Sequence, residues 1–262
     1  MALPVPRSVS PSKVSSFTDC PLAFRFAVID HRPEPPSPHA VKGTLVHRAL
    51  ERLFWRNAPG DRTPEVARLE LAAAVAALDD DPEWAALALD PDQVRIFVAD
   101  AETLLDNYFA LEDPNQVQPV GVELGLEADV GGARLRGIID RLDRREDGEL
   151  VVVDYKTGRA PSERYERTKM AGVHTYAVLC ELVLGRAPVE VRLLHLREPV
   201  SIVAIPTEQS LRGQRRRTLA VWEAIERACE RENFRPRPGP LCRYCNFQAL
   251  CPAFGGTVPV AS

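Results

Sequence analysis

The sequence predicts an α/β protein in which helices flank a mixed sheet core, with a helical segment before the core and a cysteine-rich tail after it. Three observations favour this fold class. Apolar residues recur at helical spacing before Pro114, and runs of Val, Ile and Leu with partial alternation follow it. Three of the six cysteines then fall within ten residues near the C-terminus. No linker in the 262 residues is long enough to separate independent domains, so we expect one domain.

The first part of this domain, residues 8–115, is predicted to be mainly helical. It begins with a serine- and phenylalanine-rich stretch around Cys20, and the proline content of residues 31–41 predicts an extended loop. Helices are then expected from near Gly43 and over residues 64–80 and 92–111. The 23 prolines of the chain suggest many chain reversals or extended connections.

The second part, residues 116–232, is predicted to hold the sheet. Antiparallel strands are expected over 117–130, 133–142 and 149–155. A helix over 163–185, strands over 189–196 and 200–205, and a long charged helix over 207–232 follow in that order. Residues 233–262 form the proline- and cysteine-rich tail. No apolar run approaches the roughly 20 residues of a membrane span, and the N-terminus lacks the pattern of a signal peptide. We therefore expect a cytoplasmic protein with no membrane partner.

The most informative stretch is a predicted hairpin whose turn is Asp147-Gly148. Counting back from the turn places Asp140 opposite Asp154 or Tyr155, and Lys156 on the same face as Asp154. Two carboxylates about 5 Å apart repel unless a cation or a proton lies between them. Oxygen ligands suit Mg²⁺ or Mn²⁺, and a nearby lysine stabilises negative charge. These groups are the components of a metal-dependent phosphodiester hydrolase.

A surface hairpin whose charges face water is the alternative. It fits the residues at the turn, but it fits Asp154 and Lys156 poorly because they follow the apolar run Leu150–Val153. A salt bridge to an arginine explains Asp143 equally well. On the predicted helix after Gly43, His47 and Glu51 share one face. A lone His on such a face is usually a core residue, but a buried Glu beside it needs a partner or a metal, which favours His47 as a ligand.

Three motifs together resemble the RecB-like branch of the PD-(D/E)XK nuclease superfamily. They are Gly-Xaa-Xaa-Xaa-His-Xaa-Xaa-Leu-Glu at 43–51, Gly-Ile-Ile-Asp-Arg at 137–141 and Val-Asp-Tyr-Lys-Thr-Gly at 153–158. The resemblance extends over residues 8–252. It implies a restriction-endonuclease-like fold and Mg²⁺- or Mn²⁺-assisted hydrolysis of DNA phosphodiester bonds.

The resemblance also implies roles for individual residues. The implied metal ligands are His47, Asp140, Asp154 and the Tyr155 carbonyl. Lys156 is implied to orient or activate the attacking water, and Tyr176 occupies the tyrosine position that the family has on the following helix. The family usually has a glutamine four residues before that tyrosine, where this chain has Gly172. His174 and Lys169 are the candidates to replace it.

The cysteines of the tail, Cys242, Cys245 and Cys251, have the spacing C-x2-C-x5-C and leave a four-thiolate metal site one ligand short. Cys20 is the natural fourth ligand, whereas Cys180 and Cys229 lie in predicted helices and are expected in the core. The arrangement resembles the iron–sulfur subset of the family, found in AddB-type subunits and CRISPR-associated RecB-like exonucleases. That resemblance implies a structural [4Fe-4S] cluster, and zinc is the alternative.

The function that follows is that of a DNA exonuclease in repair or recombination, acting alone or with a helicase. The expected substrate is DNA that is single-stranded or has single-stranded ends. The net charge of -4 does not favour nucleic acid, but four arginines form a local basic cluster that we expect to contact DNA: Arg212, Arg215, Arg216 and Arg217. A solvated helix face is the other interpretation of this cluster. Alternative functions are a CRISPR spacer-acquisition nuclease and a weakly active or inactive DNA-binding subunit of a helicase complex.

Overall fold

The computed structural model of the chain describes residues 2–78, 80–161 and 172–259. Its first half is helical. The elements are α1 (Pro11–Asp19), α2 (Pro21–Phe24) with the π-helical turn Arg25–Ile29, α3 (Pro38–Arg56), α4 (Pro64–Ala76), α5 (Pro82–Ala86) and α6 (Pro91–Phe109). Each of these six α-helices has a proline in its first turn, where the missing N–H costs no hydrogen bond. At these positions proline starts a helix, which the expectation of reversals and extended connections missed.

Helix α3 begins earlier than the sequence analysis predicted. The Ser37 side chain accepts a hydrogen bond from the Ala40 N–H at 3.4 Å, and Pro38 is the first helical residue. The predicted start near Gly43 is therefore wrong, and the extended loop predicted over 31–41 ends at Ser37 instead. The physical reason is that Ser37-Pro38 is a helix start signal, which outweighs the proline content of the preceding segment.

The second half forms a five-stranded sheet with flanking helices. Its elements are β1 (Pro119–Val130), β2 (Ala133–Arg144), β3 (Leu150–Lys156), α7 (His174–Leu184), β4 (Glu190–His195), β5 (Val200–Ala204) and α8 (Glu208–Glu230). The strand order is β1-β2-β3-β4-β5. Strands β2 and β3 are antiparallel, β3 and β4 parallel, and β4 and β5 antiparallel. This confirms the predicted mixed sheet core with flanking helices. The first part of the helix predicted over 163–185 lies outside the described residues.

The chain divides into two compact units. Unit 1 comprises Met1–Pro35, Glu127–Gly137 and Glu208–Ser262, and unit 2 comprises Pro36–Leu126 and Ile138–Thr207. In unit 2, residues of α3, α4 and α6 share one core with residues of β3 and β4, for example Leu50, Tyr108 and Val153. Unit 1 has a separate core rich in aromatic rings, in which the ring centres of Phe26 and Phe247 lie 5.4 Å apart. That the chain acts as one domain stays a prediction.

No helix in the described part of the chain combines the length and apolar character that crossing a bilayer requires.

Candidate functional site

The predicted hairpin is present, and its register brings two carboxylates to the same level. Arg141 pairs with Val153, and continuing this antiparallel register places Asp140 level with Asp154. The Tyr155 N–H donates a hydrogen bond to Asp140 Oδ2 at 2.6 Å, which fixes the Asp140 side chain across the two strands. Asp140 is 8% exposed and Asp154 is 3% exposed. Both carboxylates are therefore largely removed from water, which is costly unless they have charged or hydrogen-bonding partners.

His47 of α3 lies against these carboxylates. Its Nδ1 is 3.5 Å from Asp140 Oδ1, and its Nε2 is 3.1 Å from the carbonyl oxygen of Tyr155. Because a carbonyl oxygen can only accept a hydrogen bond, Nε2 carries the proton in this contact. In the neutral ring, Nδ1 then presents its lone pair towards the carboxylates. Metal-binding histidines commonly have this arrangement, in which the other nitrogen donates to a backbone carbonyl.

A third carboxylate, Glu123 of β1, joins the group, and the sequence analysis did not identify it. Glu123 Oε1 is 4.0 Å from His47 Nδ1. One ligand atom each of His47, Glu123 and Asp140 lies within 4.8 Å of the others, so the three can hold one metal ion. Glu123 also has a φ of 48°, in the left-handed region that non-glycine residues rarely adopt. The alternation of β1 gave no signal for this backbone conformation, which is the feature that distinguishes Glu123 from an ordinary strand residue.

Burial and mutual repulsion shift the pKa values of this group. Burial raises the pKa of the Glu123 carboxyl, and the charge of Asp140 adds to the shift. Burial also raises the pKa of Asp154, although Lys156 opposes the shift. Burial alone lowers the pKa of His47, but the neighbouring carboxylates outweigh it, so the pKa is raised. A divalent cation could be held by His47, Glu123 and Asp140, whose ligand atoms lie within 4.8 Å of one another, and oxygen and imidazole donors suit Mg²⁺ or Mn²⁺. The residues present therefore fit the metal that the fold implies.

Lys156 and Tyr176 lie at the same place. Lys156 Nζ is 2.5 Å from Asp154 Oδ2, which confirms that the two side chains share a face of β3. The Lys156 side chain is 45% exposed, so a bound molecule can reach it. The Tyr176 hydroxyl of α7 donates a hydrogen bond to Asp154, and burial and this carboxylate raise the pKa of Tyr176. Tyr176 therefore stays protonated and holds the Asp154 carboxylate.

The remaining predicted residues of this site have different positions. Glu51 lies one helical turn after His47 on α3, and its charge raises the pKa of Glu123. His174 is the first residue of α7, and burial lowers its pKa. Lys169 lies outside the described residues. The roles of these three as supporting residues stay predictions.

Behind the hairpin, Arg141 forms a buried charge network that explains Asp143. The fully buried Arg141 guanidinium donates to both Asp143 oxygens and both Glu112 oxygens. It also donates to the hydroxyls of Tyr155, at 2.9 Å, and Tyr108, at 3.2 Å. Asp143 is thus paired with an arginine, as the alternative interpretation had it, and has no contact with the metal-site group in this network. The network holds the Tyr155 side chain, on the opposite face of β3 from Asp154 and Lys156.

The four predicted cysteine ligands converge within unit 1. Cys20 lies between α1 and α2. Cys242 lies in the 3-10 turn Pro240–Tyr244 and Cys245 directly after it, and Cys251 directly follows the 3-10 turn Gln248–Leu250. Burial raises the pKa of the Cys245 thiol, and charge on Cys20, Cys242 and Cys251 adds to the shift. The four cysteines line one cavity of about 480 Å³.

Backbone N–H groups point at these sulfurs. The Arg237 N–H donates to Cys20 Sγ at 3.4 Å, and the Gly239 N–H donates to Cys242 Sγ at 3.3 Å. N–H donors to sulfur are also found around metal–thiolate centres. Four cysteine sulfurs are the donor set of a four-thiolate metal group, and a metal held by these four stays a prediction. Cys180 and Cys229 are buried, as predicted, and burial raises the pKa of the Cys180 thiol to about 12.

The four arginines of the basic cluster all lie on α8. Arg212 pairs with Glu208 one turn earlier, at 2.9 Å. Arg216 and Arg217 are exposed, whereas Leu211, on another face of the helix, is buried. Arg215 is half-buried. An outward arginine face is present, and its contact with DNA stays a prediction.

Comparison with known proteins identifies one family. A sequence model described as the PD-(D/E)XK nuclease superfamily matches residues 8–252. Two relatives are the Gene 69 proteins of Mycobacterium phages D29 and L5, each 25% identical and covering 94% of this chain and 96% of the phage protein. An ATP-dependent helicase/deoxyribonuclease subunit of Streptococcus pyogenes is 29% identical over 119 residues, which are 45% of this chain and 11% of that protein.

A solved structure shares the fold. The protein is from Eubacterium rectale and is described as a candidate exonuclease. It superimposes with a TM-score of 0.57 at 11% identity and covers 91% of this chain and 86% of its own.

Proposed function

The chain belongs to the PD-(D/E)XK nuclease superfamily, and from this premise we propose that it is a Mg²⁺- or Mn²⁺-dependent deoxyribonuclease that degrades DNA from its ends. The observation that carries the proposal is the convergence of Asp140, Asp154 and Lys156 beside His47. Carboxylates that need a cation, next to a lysine that a substrate can reach, form a site suited to phosphodiester hydrolysis.

The residues that would hold the metal are His47, Asp140 and Asp154. The Tyr155 carbonyl, the further ligand that the resemblance implies, accepts a hydrogen bond from His47 Nε2 in this structure and would have to exchange that bond for the metal. Glu123 is added to this set because its carboxylate lies with His47 and Asp140. When bound, the metal lowers the pKa of a coordinated water and stabilises negative charge on the phosphoryl oxygens.

The protein side chains supply orientation and charge. Lys156 lies next to Asp154 with its ammonium group partly in solvent, where it can donate to the attacking water or to a phosphoryl oxygen. Tyr176 donates to Asp154 and thereby holds the carboxylate in one orientation. The hydrogen bond from the Tyr155 N–H does the same for Asp140. The site therefore has its catalytic groups in place before substrate binds, which lowers the cost of reorganisation.

The cysteine site is proposed to hold a [4Fe-4S] cluster through Cys20, Cys242, Cys245 and Cys251. The resemblance favours the cluster, and the position of all four cysteines around one cavity supports a shared site. Its role would be structural, since metal bonds between residue 20 and the tail close a very long loop. Iron and sulfide analysis of protein purified without oxygen tests this proposal. Zinc in place of iron, with no visible absorption, would contradict it.

The proposed partner is DNA that is single-stranded or has single-stranded ends, in repair or recombination. The α8 arginines supply positive charge for the strand. The similarity to a helicase/deoxyribonuclease subunit over 119 residues favours a helicase as a further partner. It also favours a second candidate function, that of a nuclease-like DNA-binding subunit in which a partner supplies the motor.

Cleavage of three DNA forms tests the proposal. Linear single-stranded, linear double-stranded and covalently closed circular DNA are incubated with the protein and Mg²⁺, Mn²⁺ or EDTA. We expect the linear forms to be shortened with either metal, the circles to persist, and EDTA to stop the reaction. Circles that are cut as fast as linear DNA would contradict the exonuclease assignment. Binding without cleavage under every metal condition would favour the DNA-binding subunit instead.

A further inference from the structure

Unit 2 has a pocket just beyond Lys156, which we call the basic pocket. Its lining residues are His39, Lys42, Thr157, Gly158, Arg159 and Arg197, and its volume is about 410 Å³. Residues 157–159 follow Lys156 directly in the chain. The Leu196 N–H donates a hydrogen bond to the Lys156 carbonyl at 2.8 Å. Arg197 therefore follows directly after the point where the parallel strands β3 and β4 end. The carboxyl ends of parallel strands are a common place for ligands in α/β sheets.

Two cations of the basic pocket, Lys42 and Arg197, are held in place by Asp100. Lys42 forms an ion pair with Asp100, and its ammonium nitrogen lies 5.0 Å from the centre of the Phe97 ring. Arg197 Nη1 is 3.8 Å from the same carboxylate of Asp100. The hydrogen bond from Lys42, together with the charges of Arg197 and His39, lowers the pKa of Asp100. Asp100 therefore stays ionised and orients Lys42 and Arg197.

The charges of these residues do not cancel. Among the residues that the structure describes at this pocket, Lys42, Arg159 and Arg197 carry three positive charges and Asp100 carries one negative charge, which leaves two positive charges at neutral pH. His39 adds hydrogen-bonding nitrogens at the rim. The Thr157 hydroxyl and the backbone of Gly158 add polar groups. Two spare positive charges with polar neighbours favour an oxyanion over a neutral ligand.

Helix α3 contributes residues both to the basic pocket and to the metal-site group. His39, Gly43 and His47 are four residues apart on α3 and so lie along one face. Gly43 allows the helix to approach β3, because a Cβ there would lie 3.1 Å from Thr157 Oγ1.

Resting on the proposed nuclease function, we propose that the basic pocket binds a phosphate group of the DNA strand next to the scissile phosphodiester. Arg159 and Arg197 donate to the phosphate oxygens, and Lys42 contributes charge from the wall of the pocket. The phosphate is either an internal phosphodiester or the phosphomonoester at the strand end. Binding it positions the scissile bond over Asp140, Asp154 and Lys156.

Equilibrium DNA binding measured by fluorescence anisotropy tests the proposal without requiring cleavage. The wild-type protein, the double variant Arg159→Gln/Arg197→Gln and the control Arg95→Gln bind a labelled single strand with Ca²⁺ in place of Mg²⁺. Arg95 is an exposed arginine of α6 that is paired with Asp92. We expect the double variant to raise Kd about tenfold, from the loss of charged hydrogen bonds. The slope of log Kd against log salt is expected to fall by about 0.7, the value for one phosphate of a single strand. Arg95→Gln should match the wild type.

Modified strands identify which phosphate is bound. If the phosphate is internal, one neutral methylphosphonate beside the cleaved linkage weakens wild-type binding and has no further effect on the double variant. If it is terminal, removing the end phosphate instead weakens wild-type binding and has no further effect on the double variant. Either pattern supports the proposal. A double variant that binds every strand like Arg95→Gln, with an unchanged salt slope, overturns it. The single variant Arg159→Gln, at an exposed position, serves if the double variant does not fold.

The outcome also separates this proposal from the nuclease function. If the wild-type protein cleaves no DNA but phosphate-dependent binding is lost in the double variant, the basic pocket stands and the nuclease function fails. If the wild-type protein cleaves DNA and the double variant binds and cleaves equally well, the nuclease function stands and the basic pocket fails.

Discussion

Replacement of Arg141 by methionine should destabilise the protein strongly. All five N–H donors of its guanidinium are used, on Asp143, Glu112 and two tyrosine hydroxyls, and the side chain is fully buried. The Asp143 and Glu112 side chains are only 10% and 12% exposed. Methionine fills a similar volume but leaves both carboxylates without their cation. Removing one partner of a buried ion pair costs about 3–5 kcal/mol, and we expect a loss of unfolding free energy in this range.

Urea denaturation followed by circular dichroism measures this loss, with Arg145→Met as the matched control. Arg145 lies on the same hairpin and pairs with Glu190, but its side chain is 38% exposed. Such a surface pair contributes about 0–1 kcal/mol. Arg141→Lys should recover little, because an ammonium group cannot replace the planar fork of donors. An Arg141→Met protein that is less than about 1 kcal/mol below the control would refute the assignment of Arg141 as the centre of a buried network.

Three further changes probe the two proposed metal sites. Glu123→Gln should weaken Mn²⁺ binding in calorimetric titration by about 10- to 100-fold, and unchanged affinity would exclude Glu123 from the site. Tyr176→Phe removes the hydrogen bond to Asp154 and should lower kcat about tenfold with little change in KM, whereas a role in DNA binding would raise KM instead. Cys245→Ala should lower the unfolding midpoint and the iron content together, and a variant that melts like the wild type would show that the cysteine site is not structural.

The hairpin of the site was predictable from the sequence because the residues that specify it are close together in the chain. Asp147-Gly148 specifies the turn, and the two-residue period of strands then decides which side chains face one another. The local pattern alone therefore places Asp140, Asp154 and Lys156 together. The side-chain period of helix α3 similarly places His47 and Glu51 on one face.

Other features depend on contacts that the local pattern does not contain. Glu123 lies on a strand whose alternation is ordinary, and only its backbone conformation and its distance to His47 distinguish it. Arg141 was part of a recognised motif, but its two carboxylates come from different parts of the chain, Glu112 being 29 residues away. The early start of α3 was missed for a different reason, since Ser37-Pro38 is a local signal that the surrounding prolines obscured.

The central claim is that Asp154 takes part in metal-dependent DNA hydrolysis, and the rate of DNA cleavage with Mn²⁺ tests it most directly. Asp154→Asn keeps the size of the side chain and removes its charge, and Asp147→Asn makes the same change at the exposed hairpin turn. We expect Asp154→Asn to lower the rate at least about 100-fold while the folded protein still binds DNA, and Asp147→Asn to cleave like the wild type. Cleavage by Asp154→Asn within a few-fold of the wild-type rate would contradict this claim.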